Sequence, residues 1–235
     1  MGMASPESGQ RLGGRNRFSL ENSPLSAAAL AGGQSRRMGS DKALLPLTAG
    51  GQAMLGLVLE QLAYVADDVL IVANEQERYA SFGARVVSDL RPQVGALGGI
   101  HAAITSSAHE HCLVVACDMP FLSLPLLRRM AREPRNYDVL VPVIPGSSRQ
   151  KGDGLVFQTL HAIYSKRCLP FIETRIAEGK KQVVGFFEDV RVRRIDLAEI
   201  VRWDPELRSF FNANTPDALL AAAQINAQVE HDSDL

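Results

Sequence analysis

A glycine-rich loop with three basic side chains occupies residues 30–42 and has the sequence Leu-Ala-Gly-Gly-Gln-Ser-Arg-Arg-Met-Gly-Ser-Asp-Lys. Glycine tolerates the positive φ angles that allow backbone N–H groups to converge on an anion. Arginine and lysine add positive charge toward phosphate oxygens. The pattern therefore predicts a loop that binds a nucleotide triphosphate. The alternative is a polar surface loop that joins a strand to a helix.

The spacing of the glycines differs from that of two common phosphate-binding motifs. A Walker loop requires Gly-Lys-Ser/Thr at its end, whereas Gly39 is followed by Ser40 and Asp41. The adjacent pair Gly32 and Gly33 does not fit the Gly-x-Gly-x-x-Gly fingerprint of dinucleotide-binding proteins. The loop is therefore of another type.

Two aspartates follow apolar runs that are typical of buried strands. Asp118 comes directly after the run 112–117, and Asp89 comes soon after the run 84–87. Ligands of open α/β sheets bind at the carboxyl ends of strands, and carboxylates with phosphate oxygens form the usual Mg²⁺ site. The alternatives are a helix N-cap for Asp118 and a turn ahead of Pro92 for Asp89.

Two other groups of residues resemble sites but have simpler interpretations. The string 109–112, His-Glu-His-Cys, suggests a metal cluster. It opens the strand that Asp118 closes, so about 20 Å of extended chain separates the two, and neighbouring strand residues point to opposite faces. We interpret 109–112 as a solvated loop. Arg191 and Arg193 share one strand face and are expected to be solvated.

The elements that position these residues alternate between strands and helices. This alternation predicts βαβ units, and hence an α/β fold with a doubly wound, mainly parallel sheet in a three-layer α/β/α arrangement. Gly179 is expected to end a helix. The predicted strands are 24–30, 69–72, 84–87, 112–117, 138–143 and 190–195, and the predicted helices are 52–66, 75–82, 100–106, 125–132, 169–178 and one that starts at 214–217.

Composition limits the class of protein. A chain of 235 residues can bury a substantial core, and a net charge of −1 argues against a nucleic-acid-binding protein. Three cysteines without a Cys-x-x-Cys motif are expected to be buried thiols in a reducing compartment. No apolar run is long enough for a membrane span, and no signal peptide is expected. These features predict a cytoplasmic protein with a disordered leader at 1–24, one domain at 25–225 and a polar tail at 226–235.

The loop also matches a longer signature. The string L-A-G-G-x-S-x-R-M-G-x-D-K resembles the opening motif of the molybdenum cofactor guanylyltransferases, which have a Rossmann-like nucleotidyltransferase fold. The resemblance extends over about residues 25–225. The matching positions are Leu30, Ala31, Gly32, Gly33, Ser35, Arg37, Met38, Gly39, Asp41 and Lys42.

The resemblance implies a role for each matching residue. Arg37, Lys42 and Asp118 would be catalytic, with Mg²⁺ on Asp118. Asn212, Asn214 and Lys181 would lie toward the pterin, although Gln182 stands where the family has a second basic residue. Ala96 stands where the family commonly has proline. The nucleotide would contact Leu30, Ala31, Gly32, Gly33, Lys42, Asp89, Gly95 and Asp118.

The activity implied by the resemblance is transfer of GMP from GTP to the terminal phosphate of molybdopterin, with release of pyrophosphate. Other proteins of molybdenum cofactor biosynthesis and apo-molybdoenzymes are further partners that the resemblance allows. The alternatives are a molybdenum cofactor cytidylyltransferase, another sugar- or alditol-phosphate nucleotidyltransferase, and a nucleotide sensor without catalysis. Gly33 favours the guanylyltransferase, because the cytidylyltransferases tend to have Leu-Ala-Ala-Gly here.

Overall fold

The computed structural model describes residues 24–31, 42–47, 51–89, 91–146 and 154–233. Helices and strands alternate along this part of the chain. The strands are β1 (Ser26–Leu30), β2 (Asp68–Val72), β3 (Arg85–Val87), β4 (His111–Ala116), β5 (Val139–Pro145), β6 (Leu155–Phe157), β7 (His161–Ser165) and β8 (Val192–Ile195). The α-helices are α1 (Met54–Ala63), α2 (Ala96–Ser106), α3 (Leu124–Ala131), α4 (Leu169–Ala177), α5 (Leu197–Ile200) and α6 (Pro216–Ser233).

The strands form a mixed, mainly parallel sheet. Its order is β3-β2-β1-β4-β7-β5-β6, and β8 pairs with β5. Strands β3, β2, β1 and β4 are parallel to one another, whereas β7 is antiparallel to both β4 and β5. Helices α1 and α3 pack on one face of the sheet, and α2 and α4 pack on the other. The predicted three-layer α/β fold is confirmed.

Strand β1 lies at the centre of the sheet despite its alanines. Ala27, Ala28 and Ala29 are fully buried and alternate between the two cores. Alanine has a low β propensity, but propensity in a sheet mostly reflects how well a side chain packs against its neighbours. Small side chains on both faces leave room for α1 and α2 to approach the sheet closely. Tertiary packing therefore favours alanine here.

Several elements differ from the prediction, and strands β6 and β7 and helix α5 were not predicted. Residues Gln76–Phe82, predicted to be a helix, form 3₁₀ turns. Helix α2 begins at Ala96 rather than at Ile100, so Gly98 and Gly99 belong to its first turn. Helix α6 continues through Ser233, into the segment predicted to be a polar tail. Gly179 ends α4 with a φ of 71°, as predicted. Among the described residues, no helix is both long and apolar enough to cross a membrane.

An ion-pair network joins the starts of β5 and β8 to the end of β7. The Asp138 carboxylate accepts hydrogen bonds from Nε of Arg167 at 2.6 Å and from the backbone N and Nε of Arg191 at 2.9 and 3.0 Å. These donors, Arg191 first, hold the pKa of Asp138 well below its ordinary value. Arg193 pairs with Glu133 and Glu199. Arg191 is exposed, as expected, and Arg193 is half-buried; in addition, each has carboxylate partners from another element.

His161 on β7 is a buried histidine. Its ring packs against that of Phe210, with centroids 5.1 Å apart. In the described part of the chain, neither ring nitrogen has a hydrogen-bond partner. Burial disfavours the charged imidazolium and lowers the pKa of His161 to about 4. His161 is therefore neutral at physiological pH.

This neutral histidine makes stability depend on pH. Between about pH 6.5 and 4 the unfolded chain binds more protons than the folded one, so stability falls as the pH falls through that window. We expect His161→Leu to lose less stability than the wild type from pH 7 to 4, by on the order of 3 kcal/mol. Urea unfolding at several pH values measures the difference.

Above pH 7 the imidazole is neutral in both states, so the stability difference between the two proteins should be constant there. If the free energies of unfolding of the two proteins changed equally between pH 7 and 4, the lowered pKa of His161 would be contradicted. Titration of Asp138 does not interfere, since a carboxylate with a lowered pKa loses its contribution only at more acidic pH.

Candidate functional site

Parallel register brings the carboxyl ends of β1, β2 and β4 to one level. Leu30 lies opposite Val72 of β2 and Ala116 of β4. Beyond the strands, the backbone N of Ala31 donates to O of Val72 at 3.0 Å, and the N of Cys117 donates to O of Leu30 at 3.1 Å. The chain that enters the glycine-rich loop and the chain that leads to Asp118 therefore leave the sheet side by side.

Asp118 lies in a turn beyond β4 and does not cap a helix. The next helix, α3, begins at Leu124, and its N-cap is Ser123, whose hydroxyl accepts from the N of Leu126 at 3.3 Å. The alternative interpretation of Asp118 as an N-cap is therefore wrong. The carboxylate stands where ligands of open α/β sheets bind.

The segment before α6 returns to Asp118. The backbone N of Ala213 donates to the carbonyl oxygen of Asp118 at 2.9 Å. Ala213 is fully buried against Leu47 and Met54, whereas Asn212 and Asn214 on either side of it are exposed. This contact places both asparagines close to Asp118, beyond the end of β4.

The segment before α6 also caps that helix. The hydroxyl of Thr215 accepts from the N of Ala218 at 3.1 Å and caps α6. The side-chain amide of Asn212 donates to O of Phe210 at 3.1 Å.

Asp89 lies beyond β3 and contacts the start of α2. Its Oδ1 accepts from the N of Arg91 at 2.8 Å, as expected for a turn former. A Cβ at Gly98 would lie 2.6 Å from O of Arg91 and 3.0 Å from Oδ1 of Asp89, so only glycine fits there. Gly95, with φ 70° and ψ −140°, adopts a conformation that side chains disfavour. These glycines hold the Asp89 loop against the helix.

The central part of the predicted loop lies outside the described residues. This applies to Gly32, Gly33 and Arg37, and the side chain of Lys42 is likewise not described. The two ends of the loop are described, at Ala31 after β1 and at a 3₁₀ turn, Lys42–Leu44. Ala31 is buried, and its carbonyl oxygen accepts from the hydroxyl of Tyr79 at 3.2 Å.

Two other groups singled out in the sequence lie on different segments. Lys181 is exposed in the turn after α4, on the face of the sheet opposite to that of Ala213. The string 109–112 lies at the amino end of β4, where Nε2 of His109 lies 2.8 Å from Oδ1 of Asp67. The buried His111 has its Nε2 3.5 Å from the carbonyl oxygen of Tyr137. These contacts give both histidines structural partners. The interpretation of 109–112 as a solvated loop was wrong for His111 and Cys112, which are buried at the start of β4.

Sequence reasoning missed Asn74. Residues 74–78 follow β2, which lies between β1 and β3, and line a cavity of about 420 Å³ at the same edge of the sheet. An amide at this place can both donate and accept hydrogen bonds. The available signal was the abrupt change from the apolar run 69–72 to the polar string Asn-Glu-Gln-Glu-Arg.

Comparisons with known proteins identify a family and similar proteins within it. Residues 27–192 match the MobA-like NTP transferase domain. A protein of Pelotomaculum thermopropionicum named "Probable molybdenum cofactor guanylyltransferase" is 40% identical over 82% of this chain and 89% of its own length. Molybdenum cofactor guanylyltransferase of Desulfosudis oleivorans is 36% identical over 81% and 90%. The solved structure of molybdopterin-guanine dinucleotide biosynthesis protein A from Archaeoglobus fulgidus has a TM-score of 0.70 and 29% identity, covering 86% of this chain and 99% of that one.

The contact between Gly98 and the Asp89 loop predicts opposite effects of alanine at two helical glycines. Gly98→Ala should destabilise the protein by about 1–3 kcal/mol, because the new methyl overlaps backbone oxygen. Gly56→Ala in α1 is the matched control. Its Cβ would lie 3.4 Å from the flexible Gln52 side chain, so it should gain up to about 1 kcal/mol of helix propensity. Urea unfolding measures both, and equal effects would contradict the proposed close approach.

Proposed function

This chain belongs to the MobA-like NTP transferase family, and on that premise we propose that it transfers GMP from GTP to the terminal phosphate of molybdopterin, with release of pyrophosphate. The observation that carries the proposal is the position of Asp118 directly beside the entry to the glycine-rich loop. The names of the relatives support GTP and the molybdenum cofactor as the two substrates.

The chemistry needs positioning more than proton transfer. A terminal phosphate oxygen of the pterin attacks the α-phosphorus of GTP in line with the leaving pyrophosphate. The attacking oxygen is already anionic, so no strong general base is required. Catalysis then depends on holding the two phosphates together and on neutralising their charge.

A divalent cation fits the chemistry at Asp118, and we propose Mg²⁺. The site offers a carboxylate at the carboxyl end of β4, beside a loop whose amides and cations suit a triphosphate. Mg²⁺ characteristically binds through one or two carboxylates together with substrate phosphate oxygens. When bound, it would neutralise charge on the phosphate groups.

The remaining roles follow the loops along the edge of the sheet. Lys42 and Arg37 would offset the charge that develops on the phosphates, and the amides of Gly32 and Gly33 would orient the triphosphate. Asn214 and Asn212 would contact the acceptor, because Ala213 between them is bonded to Asp118. Lys181 would approach the acceptor phosphate from the other face of the sheet. The nucleoside would contact Leu30, Ala31, Asn74, Asp89 and Gly95.

Product analysis tests the proposal. The full-length protein is incubated anaerobically with molybdopterin, Mg²⁺ and either GTP or CTP, and the products are identified by mass spectrometry. We expect the guanine dinucleotide form of the cofactor and one pyrophosphate per transfer with GTP, and much less product with CTP. A preference for CTP would favour the cytidylyltransferase, and GTP binding without pyrophosphate release would favour a sensor.

Asp118→Asn should reduce turnover by at least about a thousandfold, because a neutral amide binds a divalent cation poorly and leaves phosphate charge uncompensated. Asp67→Asn is the matched control, since this exposed carboxylate contacts His109 beyond the opposite edge of the sheet. Pyrophosphate release at saturating Mg²⁺ measures both variants. Near-normal activity of Asp118→Asn would remove this residue from the mechanism.

A further inference from the structure

An apolar cleft of about 390 Å³ opens beside the segment that returns to Asp118. Its walls come from the turn after β4, the end of β5, the segment before Asn212, and α6. The apolar lining residues are Phe121, Ile144, Leu207, Phe210, Phe211 and Ile225. Glu206 and Arg208 also line the cleft and pair with each other, with Nη2 of Arg208 2.6 Å from Oε2 of Glu206. Apolar walls with a few polar groups are typical of small-molecule sites.

The cleft is closely connected to the candidate active site. Phe121 lies three residues after Asp118, and Phe211 directly precedes Asn212. The rings of Phe121 and Phe211 contact each other, with centroids 5.7 Å apart and planes inclined by 56°. The ring of Phe210 packs against the buried ring of His161. The aromatic walls of the cleft therefore pack on β7 and on the turn after β4, next to Asp118.

Strand order determines which substrate the cleft faces. The loops that suit the nucleotide follow β1, β2 and β3, all on one side of β4 in the sheet. The cleft lies on the other side of β4, next to β7 and β5. Phe210 packs on His161 of β7, and Ile144 is near the end of β5. With the nucleotide on the first side, the acceptor has to reach the α-phosphorus from the second.

We propose that this cleft binds the fused, planar heteroaromatic rings of the acceptor, with the acceptor's phosphate directed toward Asp118. The proposal rests on the guanylyl transfer proposed above. Aromatic side chains bind planar heterocycles by stacking, at about 1–3 kcal/mol per ring. A planar pterin presents a larger flat face to these rings than a puckered sugar does. The cleft therefore suits a pterin better than a sugar as acceptor.

Steady-state kinetics with molybdopterin as the varied substrate test the cleft. Phe121→Leu and Phe211→Leu keep apolar volume but lose the aromatic face, and Ile225→Trp fills the cleft from α6. In each variant we expect the KM for molybdopterin to rise by about five- to a hundredfold, as loss of one stacking contact implies. The KM for GTP should stay within about twofold of the wild-type value, because the nucleotide loops are on the other side of β4.

Phe171→Leu is the matched control, since this phenylalanine is partly exposed on α4, on the opposite face of the sheet. Thermal unfolding shows which variants are folded, and KM does not depend on the fraction of active enzyme. If the wild type forms the dinucleotide product while all folded cleft variants keep the wild-type KM for molybdopterin, the cleft assignment is wrong and the proposed function stands. If the wild type forms no product, the proposed function fails, and this inference fails with it.

Discussion

The parallel pairing of β1 with strands on both sides is the constraint on which the site depends. Leu30 is level with Val72 and Ala116, so the connections after β2 and β4 each leave the sheet one strand spacing from the connection after β1. A shift in this register would separate the entry of the glycine-rich loop from Asp118 by about 3.3 Å per residue. It would also exchange the two faces of β1, which carries core residues on both. Both the burial of the core residues and the geometry of the site therefore disfavour a shift in the register of β1.

The two edges of the sheet differ in how polar groups are used. At the starts of β5 and β8, charged groups are paired with one another, and Asp138 binds two arginines. At the carboxyl edge, Asp118, Asn212 and Asn214 come together on turns held by backbone hydrogen bonds. These are the polar side chains for which we propose contacts with the substrates. The ion-pair network accordingly braces the sheet at the edge where no chemistry is proposed.

The end of β4 separates two kinds of surface. On the side of β1 to β3 the edge carries a glycine-rich loop, Asn74 and Asp89, which suit phosphates and a polar nucleoside. On the side of β7 and β5 it carries phenylalanines around an apolar cleft. A transferase that joins two substrates needs them on opposite sides of the reacting phosphorus. Strand order provides this separation, with Asp118 at the boundary between the two surfaces. The hydrogen bond from Ala213 to Asp118 connects the segment before α6 to this boundary.

Local sequence determined the features that depend on residue type and short-range spacing. The glycine-rich loop, the position of Asp118 after a buried run, the strand and helix order, and Gly179 as a helix end all follow from nearest-neighbour chemistry. Tertiary structure alone decided the features that need distant residues. Asn74 gained significance because β2 lies beside β1, and Arg191 and Arg193 found carboxylates on other elements. Gly98 and Gly99 joined α2 because Asp89 and Leu30 pack against them. The aromatic cleft joins residues from four segments, and no local pattern encodes a surface that long-range packing assembles.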